Sequence, residues 1–391
     1  MEWTAARIRR FREVGLCLPR DKFAKELGFA KRTVGNAESG THSPSLGLRR
    51  ALDEALEKAT DAQRDRFLAA DHRLAPAGRG TNPTLESVEL LRRTEATDLG
   101  TSTLEQLEQQ VERLGVEYFT VPPAEFRATV LSWRRYVIRL LESKLTLRER
   151  HHLHAVAGWL SGLVAEASLA IGDAAEPHCA TALSLAQEVG DTRLAGWVRG
   201  TQAQIALYTG DPREAVAFAQ AGREVAPIGS TALVRSCTHE ARASARLGDR
   251  AGTQVGLDAA DHAWNTLSQP LVRSIYSLGD SYLPYCAATA FVWLGDPANA
   301  RIWASQAVEP TGDKPEPSVG RATARIDLAI ALAQDSELEE ASATGLDALD
   351  ICAHRLTLPA RRRIEELLAA LSPFTEPCVV ELRERWQWIS S

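Results

Sequence analysis

Between residues 156 and 335 the chain keeps a period. A Gly-Asp pair recurs at Gly172-Asp173, Gly210-Asp211, Gly248-Asp249 and Gly295-Asp296, at spacings of 38, 38 and 47 residues, and a degenerate Gln334-Asp335 follows 39 further on. The segment Leu194–Asp211 echoes Val156–Asp173 with Ala-Gly-Trp in register. Glycine suits the left-handed residue that ends a helix, and the aspartate after it suits the cap of the next one. Asp211-Pro212 and Asp296-Pro297 add proline at a first helical position, where its missing N–H costs nothing. The repeating unit is therefore two helices and two turns in about 38 residues. One such unit cannot bury its apolar face alone, so successive units must stack.

The remaining sequence agrees with an all-α fold. Alternating Val/Ile/Thr runs are absent, and apolar residues fall three or four apart among Ala, Leu, Glu and Arg. Two Pro and two Gly mark a linker at residues 75–84, which divides a module at 1–74 from a body at 85–391. Lesser breaks fall at Pro122-Pro123 and at Glu309–Pro317. Charge follows the division: residues 1–60 carry 12 Lys/Arg and 8 Asp/Glu, and the rest carry 33 and 43. A basic module on an acidic body suits a nucleic-acid reader joined to a sensor or partner-binding domain. Six cysteines without a CxxC pair read as reduced thiols of a cytoplasmic protein. The charged N-terminus predicts no signal peptide, and no apolar run approaches the roughly 18 residues of a membrane span.

Within the basic module, the spacing predicts a short helix at Arg20–Leu27 that ends at Gly28, and a second from Lys31 with Val34 buried. Amphipathic helices at Trp3–Val14, Leu46–Leu56 and Asp61–Leu74 complete five. A tight glycine turn between two short helices, the second rich in phosphate- and base-contacting groups, is a helix-turn-helix pattern. Phe23-Ala24, Leu27-Gly28, Thr33-Val34, Glu38, Gly40 and Pro44 resemble the lambda-repressor-like (Cro/XRE) family. The segment departs from that family in Arg20 for a glutamine, Ala30 for a Ser/Thr cap, and Gly35 and Ala37 in the second helix. The resemblance implies DNA contacts from Arg20, Lys31, Arg32, Thr33 and Asn36.

Ala215 in the Asp211–Val225 segment occupies the small-residue position of the tetratricopeptide repeat, which the body resembles, other helical-pair repeats being the alternative. The layout as a whole resembles the Cro/XRE-plus-tetratricopeptide regulators of actinobacteria and, distantly, the peptide-sensing RRNPP regulators. That implies a five-helix DNA-binding domain followed by a right-handed helical solenoid. It also implies a cytoplasmic homodimer on double-stranded DNA, regulated by a peptide or small molecule in the solenoid groove. An interaction adaptor with a vestigial helix-turn-helix, and an effector acting on partner proteins, are the alternatives.

Counting back from each Gly-Asp marker gives equivalent inward positions. One row is Trp159, Trp197, Arg235, Tyr282 and Arg321; a second is Glu166, Gln204, Arg242 and Thr289; a third is Tyr208, Arg246 and Trp293. Gly162, Gly200 and Thr238 lie between them. Aromatics interleaved with arginines suit a ligand with an anionic group and an apolar body, and Trp159, Trp197, Gln204, Arg235, His239, Arg242, Tyr282, Tyr285, Arg321 and Arg325 are the candidate lining. Pairing of these arginines with Glu166, Asp327 or Glu240 is the alternative that leaves no positive potential. His151, His152 and His154 lack metal-ligand spacing, and no Walker loop, GxSxG or HExxH occurs, so neither metal, cofactor nor catalysis is expected.

Overall fold

The computed structural model describes residues 3–73, 83–94, 99–268, 274–309, 319–353 and 355–390. Every regular element among them is helical. The chain divides into two compact units, Met1–Pro83 and Thr84–Ser391. Most of the linker expected at 75–84, and the loop expected at 309–317 beyond Glu309, lie outside the described residues.

The first unit holds α1 (Ala5–Arg10), continued by a π-turn at Phe11–Gly15, then α2 (Arg20–Glu26), α3 (Lys31–Ser39), α4 (Leu46–Lys58) and α5 (Asp61–Arg73). Its core gathers Trp3, Ile8, Phe11, Phe23, Val34, Leu48, Leu52 and Phe67. Phe11 stands within aromatic contact of Trp3, Phe23 and Phe67. The Trp3 indole stays satisfied by donating to Asp53 at 2.7 Å. Some of the expected boundaries shift, and α2 ends at Glu26, one residue short of Leu27. Thr4 caps α1, which leaves Trp3 outside the helix, and α4 runs two residues beyond Leu56.

The second unit opens with α6 (Pro83–Thr94), α7 (Thr101–Glu117) and α8 (Pro123–Leu141). Six helix pairs follow. The first helices are α9 (Leu147–Ile171), α11 (Thr192–Thr209), α13 (Thr231–Arg246), α15 (Tyr282–Trp293), α17 (Val319–Gln334) and α19 (Leu358–Ala370). Their partners are α10 (Glu176–Val189), α12 (Pro212–Val225), α14 (Arg250–Trp264), α16 (Pro297–Val308), α18 (Leu338–Cys352) and α20 (Pro377–Ser390). Each first helix packs on the next, from α9 through α19, and those from α9 to α17 pack on their partners, whereas α20 packs on α18. The last one, α19, also reaches α9 and α11.

The turns obey the glycine rule in part. Gly172, Gly248 and Gly295 are left-handed, but Gly210 is extended, and Ser336 rather than Gln334 takes the positive φ of the fifth turn. Asp211, Asp249 and Asp296 cap the following helices, whereas Asp173 pairs with Arg127 instead. A further pair, Gly190-Asp191, links α10 to α11 by the same chemistry. Close packing within a pair explains another glycine: a Cβ on Gly256 would sit 2.8 Å from the Ala241 backbone, so α14 lies against α13 there. The expectation that no segment is long and apolar enough to cross a membrane needs correcting. α9 qualifies by length and hydropathy, and it is mostly buried, packed among α7, α8, α10, α11 and α19.

Candidate functional site

In the first unit, α2 and α3 are joined by a turn in which Gly28 is left-handed at φ 74°. Lys31, Arg32 and Thr33 are exposed on the first turn of α3, and Asn36 is half-buried one turn on. Ala30 supplies no side-chain cap, as its lack of a hydroxyl predicts, so the leading amides of α3 stay unclaimed by a cap. The opposite face of α3 buries Val34 and Ala37.

Arg20 has a role that its spacing did not disclose. Its Nε donates to Glu38 at 2.6 Å, and its side chain is 42% exposed. Glu38 is buried and also accepts from Arg12 Nε at 2.6 Å and Nη2 at 3.2 Å, while Arg9 donates to the Glu38 carbonyl. Arg12 reaches the Leu18 carbonyl and Glu13 as well. Burial alone would raise the Glu38 pKa; hydrogen bonds from Arg12 and Arg20 outweigh it and hold the carboxylate below its usual range. A charged knot therefore ties α1, its π-turn, α2 and α3 together. Glu38 lies in the motif read from the sequence, but its partners lie 26 and 18 residues away. At Gly35 a Cβ would meet only the Arg20 stem, at 3.8 Å, so space does not require glycine there.

In the second unit the inward rows converge, but they do not form the open lining expected. Trp159 and Trp197 are buried against Tyr276, which comes from the long connection between α14 and α15. The Trp159 indole donates to Asp191 at 3.0 Å. Gly162 gives the Trp197 ring its space, since a Cβ there would lie 2.7 Å from the indole. These two tryptophans are core. Tyr276 itself is anchored by Thr231 Oγ1, which donates to its carbonyl at 2.8 Å, and the next amide back, Ile275 N, bonds the Gly115 carbonyl of α7. The only sequence hint of this plug is the stretched 47-residue interval.

Arg235 is 7% exposed and pairs with Glu166, which also accepts from Thr201 at 2.7 Å; Gln204 takes a second Arg235 bond at 2.9 Å. The alternative of internal pairing thus holds for Arg235. Asp327 does not serve the expected arginines. It is fully buried with Arg363 of α19, Nε to Oδ1 at 2.9 Å, and accepts from Thr289 at 2.5 Å. Glu240 pairs with Arg223 on the outer side of α13. Glu366 of α19 takes Arg246 at 2.8 Å and the Trp293 indole at 2.9 Å, and Arg363 binds it too. Arg321 is buried and Arg325 half-buried, one turn apart on α17. Arg363 and Glu366 escaped sequence reading because α19 lacks a Gly-Asp marker and its partners lie on other helices.

Arg242 differs from the others. It is 1% exposed, its Nη2 donates to the Tyr208 hydroxyl, and its guanidinium lies 5.5 Å from the Tyr208 ring centroid and 5.3 Å from that of Trp293. Among the described residues no carboxylate pairs with it. Burial pushes the Tyr282 and Tyr285 phenols and the Cys286 thiol up, so these neighbours stay protonated and offer no counter-charge. His239, one turn before it on α13, has both ring nitrogens unpartnered, and burial with the charges of Arg242 and Arg235 pushes its pKa well down.

Elsewhere, His151 sits 3.1 Å from the Val189 carbonyl and His154 3.6 Å from Glu188, and no group of three potential metal ligands occurs among the described residues. An open groove of about 500 Å³ lies between α12, α13 and α14, lined by Gln220, Arg223, Cys237, Glu240 and His262, with its main charges already paired. No protein-family model matches the chain, and the search of curated proteins finds no match.

Proposed function

We propose that this protein is a sequence-specific DNA-binding transcriptional regulator, with a helix-turn-helix first unit and a tetratricopeptide-like solenoid as its sensor and dimerisation unit. The observation that carries the reading is the first turn of α3. Lys31, Arg32 and Thr33 stand exposed there at an uncapped helix start, behind a left-handed glycine turn, on the basic part of the chain. Helix N-termini and Lys/Arg side chains favour phosphate, and exposed polar groups on the second helix of such a pair reach base edges. Arg20 fits as a positioning group: Glu38 fixes its Nε and leaves its outer nitrogens for a phosphate. Reading half-sites about one helical turn apart calls for a two-fold dimer.

The test is retention of the full chain on DNA fragments across a salt series. Phosphate contacts release counterions, so affinity should fall steeply between about 50 and 200 mM salt. Thr33→Ala and Asn36→Ala should flatten discrimination among sequences, and Arg32→Ala should weaken binding to all DNA alike. Absence of salt-dependent retention, or triple substitution of Arg20, Arg32 and Asn36 without effect, would favour the adaptor alternative.

A further inference from the structure

Arg235, His239 and Arg242 lie at i, i+4 and i+7 on α13, so they share one helix face. That face is covered by α11, through Trp197, Gln204 and Tyr208, and by α15, through Tyr282 and Trp293. All three residues are more than nine-tenths buried, and each keeps polar atoms without a partner: Arg235 Nη1, both nitrogens of His239, and Arg242 Nε. A buried donor left unsatisfied is costly, and a buried charge with no counter-ion more so. Three such groups on one face, one of them the Arg242 guanidinium that only a phenol and two rings attend, form a cluster short of one negative charge and of hydrogen-bond acceptors.

We propose that this face of α13 receives the anionic head of a small organic acid, with Arg242 as its counter-ion and His239 and Arg235 Nη1 as further donors. The proposal deepens the sensor reading and rests on it. The head is a carboxylate or a phosphate monoester, since both accept from a guanidinium. The body is aromatic or otherwise flat and apolar, because the walls are Tyr208, Tyr282, Tyr285 and Trp293. Burial limits the size: with Arg242 at 1% exposure, an occupant has to part the side chains of α11 and α15, which suits a compact molecule rather than a long peptide. Arg235 already has Glu166, so its free Nη1 adds a hydrogen bond and little net charge. Arg246 is excluded from the anion site because Glu366 holds it.

The experiment is isothermal calorimetry with thermal unfolding on the full chain, using benzoate and phenyl phosphate as anionic probes, benzamide as the neutral isostere, and inorganic phosphate as the head alone. The expected result is saturable binding of benzoate or phenyl phosphate with a rise in Tm, and none from benzamide; which of the two binds more tightly identifies the head. Arg242→Met should weaken that binding about thirtyfold or more, His239→Leu less, and exposed Arg213→Met not at all. Without probe, Arg242→Met should keep or raise the Tm, because it removes an unpaired buried charge. Saturation by neither anion up to about 10 mM, equal binding of benzamide, or unchanged binding in Arg242→Met would overturn the proposal. So would a fall of the probe-free Tm in Arg242→Met, with Arg242→Lys binding as wild type if Arg242→Met fails to fold. DNA retention is read on the same preparations: retention without anion binding sinks this proposal alone, and anion binding without retention sinks the DNA reading alone.

Discussion

Replacing Glu38 by glutamine should destabilise the first unit while leaving the second intact. The carboxylate is 1% exposed and balances Arg12, which is 7% exposed, through bonds at 2.6 and 3.2 Å. Breaking a buried pair by neutralising one partner costs about 3–5 kcal/mol. Arg12 keeps the Leu18 carbonyl and the half-exposed Glu13, which places the loss near the lower end, about 3 kcal/mol. The Arg20 pair adds little, because that side chain is 42% exposed. A unit of this size has about 4–12 kcal/mol in total, so roughly a quarter to three quarters of its margin goes. Hydrogen exchange read by mass spectrometry on the full chain measures the two units separately: peptides from 3–73 should lose protection, and those from α9 to α17 should not. Glu38→Gln in an Arg12→Met background should cost about 2 kcal/mol less than in wild type. The acid limb follows with its sign. The Glu38 pKa is lowered on folding, so its contribution is fully present above the ordinary glutamate value of 4.5 and is lost as pH falls through the folded value. A loss of protection under about 1 kcal/mol, or equal costs in both backgrounds, would refute the reasoning.

Gly35→Ala should stabilise the first unit by up to about 1 kcal/mol, since its Cβ would meet only the Arg20 stem at 3.8 Å, and chemical denaturation measures it. Gly28→Ala, at φ 74°, should instead cost about 1–2 kcal/mol. Among the six free thiols, exposed Cys17 should react first with a maleimide at pH 7.5. Cys179, pushed up to about 12 by burial, and Cys237 and Cys352, pushed up to about 11, should stay unmodified until unfolding; early modification of Cys179 would contradict its burial.

What the sequence disclosed was local chemistry. Periodicity located the helix pairs from α9 to α17 because capping residues act within one turn, and Gly28 with Val34 located α2 and α3 because a glycine turn and a buried valine are short-range signals. What it hid depends on distance through the fold. Ser336 takes a positive φ in the turn between α17 and α18, where sequence offers no glycine. Tyr276 reaches Trp159 and Trp197 from a connection with no periodicity, and converts two candidate ligand contacts into core. Arg20 read as a free cation because its partner Glu38 is two turns into the next helix. The placement of inward positions was legible; which of them would find partners was not, since Arg235 finds Glu166 on α9 and Arg246 and Trp293 find Glu366 on α19.

Three of the arginines buried inside the second unit, Arg235, Arg242 and Arg363, now separate by what each would leave behind. Removing Arg363 strands Asp327, which is 0% exposed and keeps only Thr289, so Arg363→Met should cost the most, about 3–5 kcal/mol. Removing Arg235 strands Glu166 at 4% exposure with Thr201 still donating to it, so Arg235→Met should cost about 3 kcal/mol or somewhat less. Removing Arg242 strands no carboxylate. What is lost is the bond to Tyr208 and two ring contacts, together about 1–3 kcal/mol, and what is gained is relief from desolvating an unpaired charge, which is at least as large. Arg242→Met should therefore be neutral or stabilising in the ligand-free protein. Urea unfolding of the full chain, followed by exchange in α11, α13 and α17, gives the three costs on one scale. Equal losses at all three sites would mean that counter-charge is not what distinguishes them. A loss at Arg242 as large as at Arg363 would mean that its guanidinium is held for the fold, and that no anion is needed to complete it.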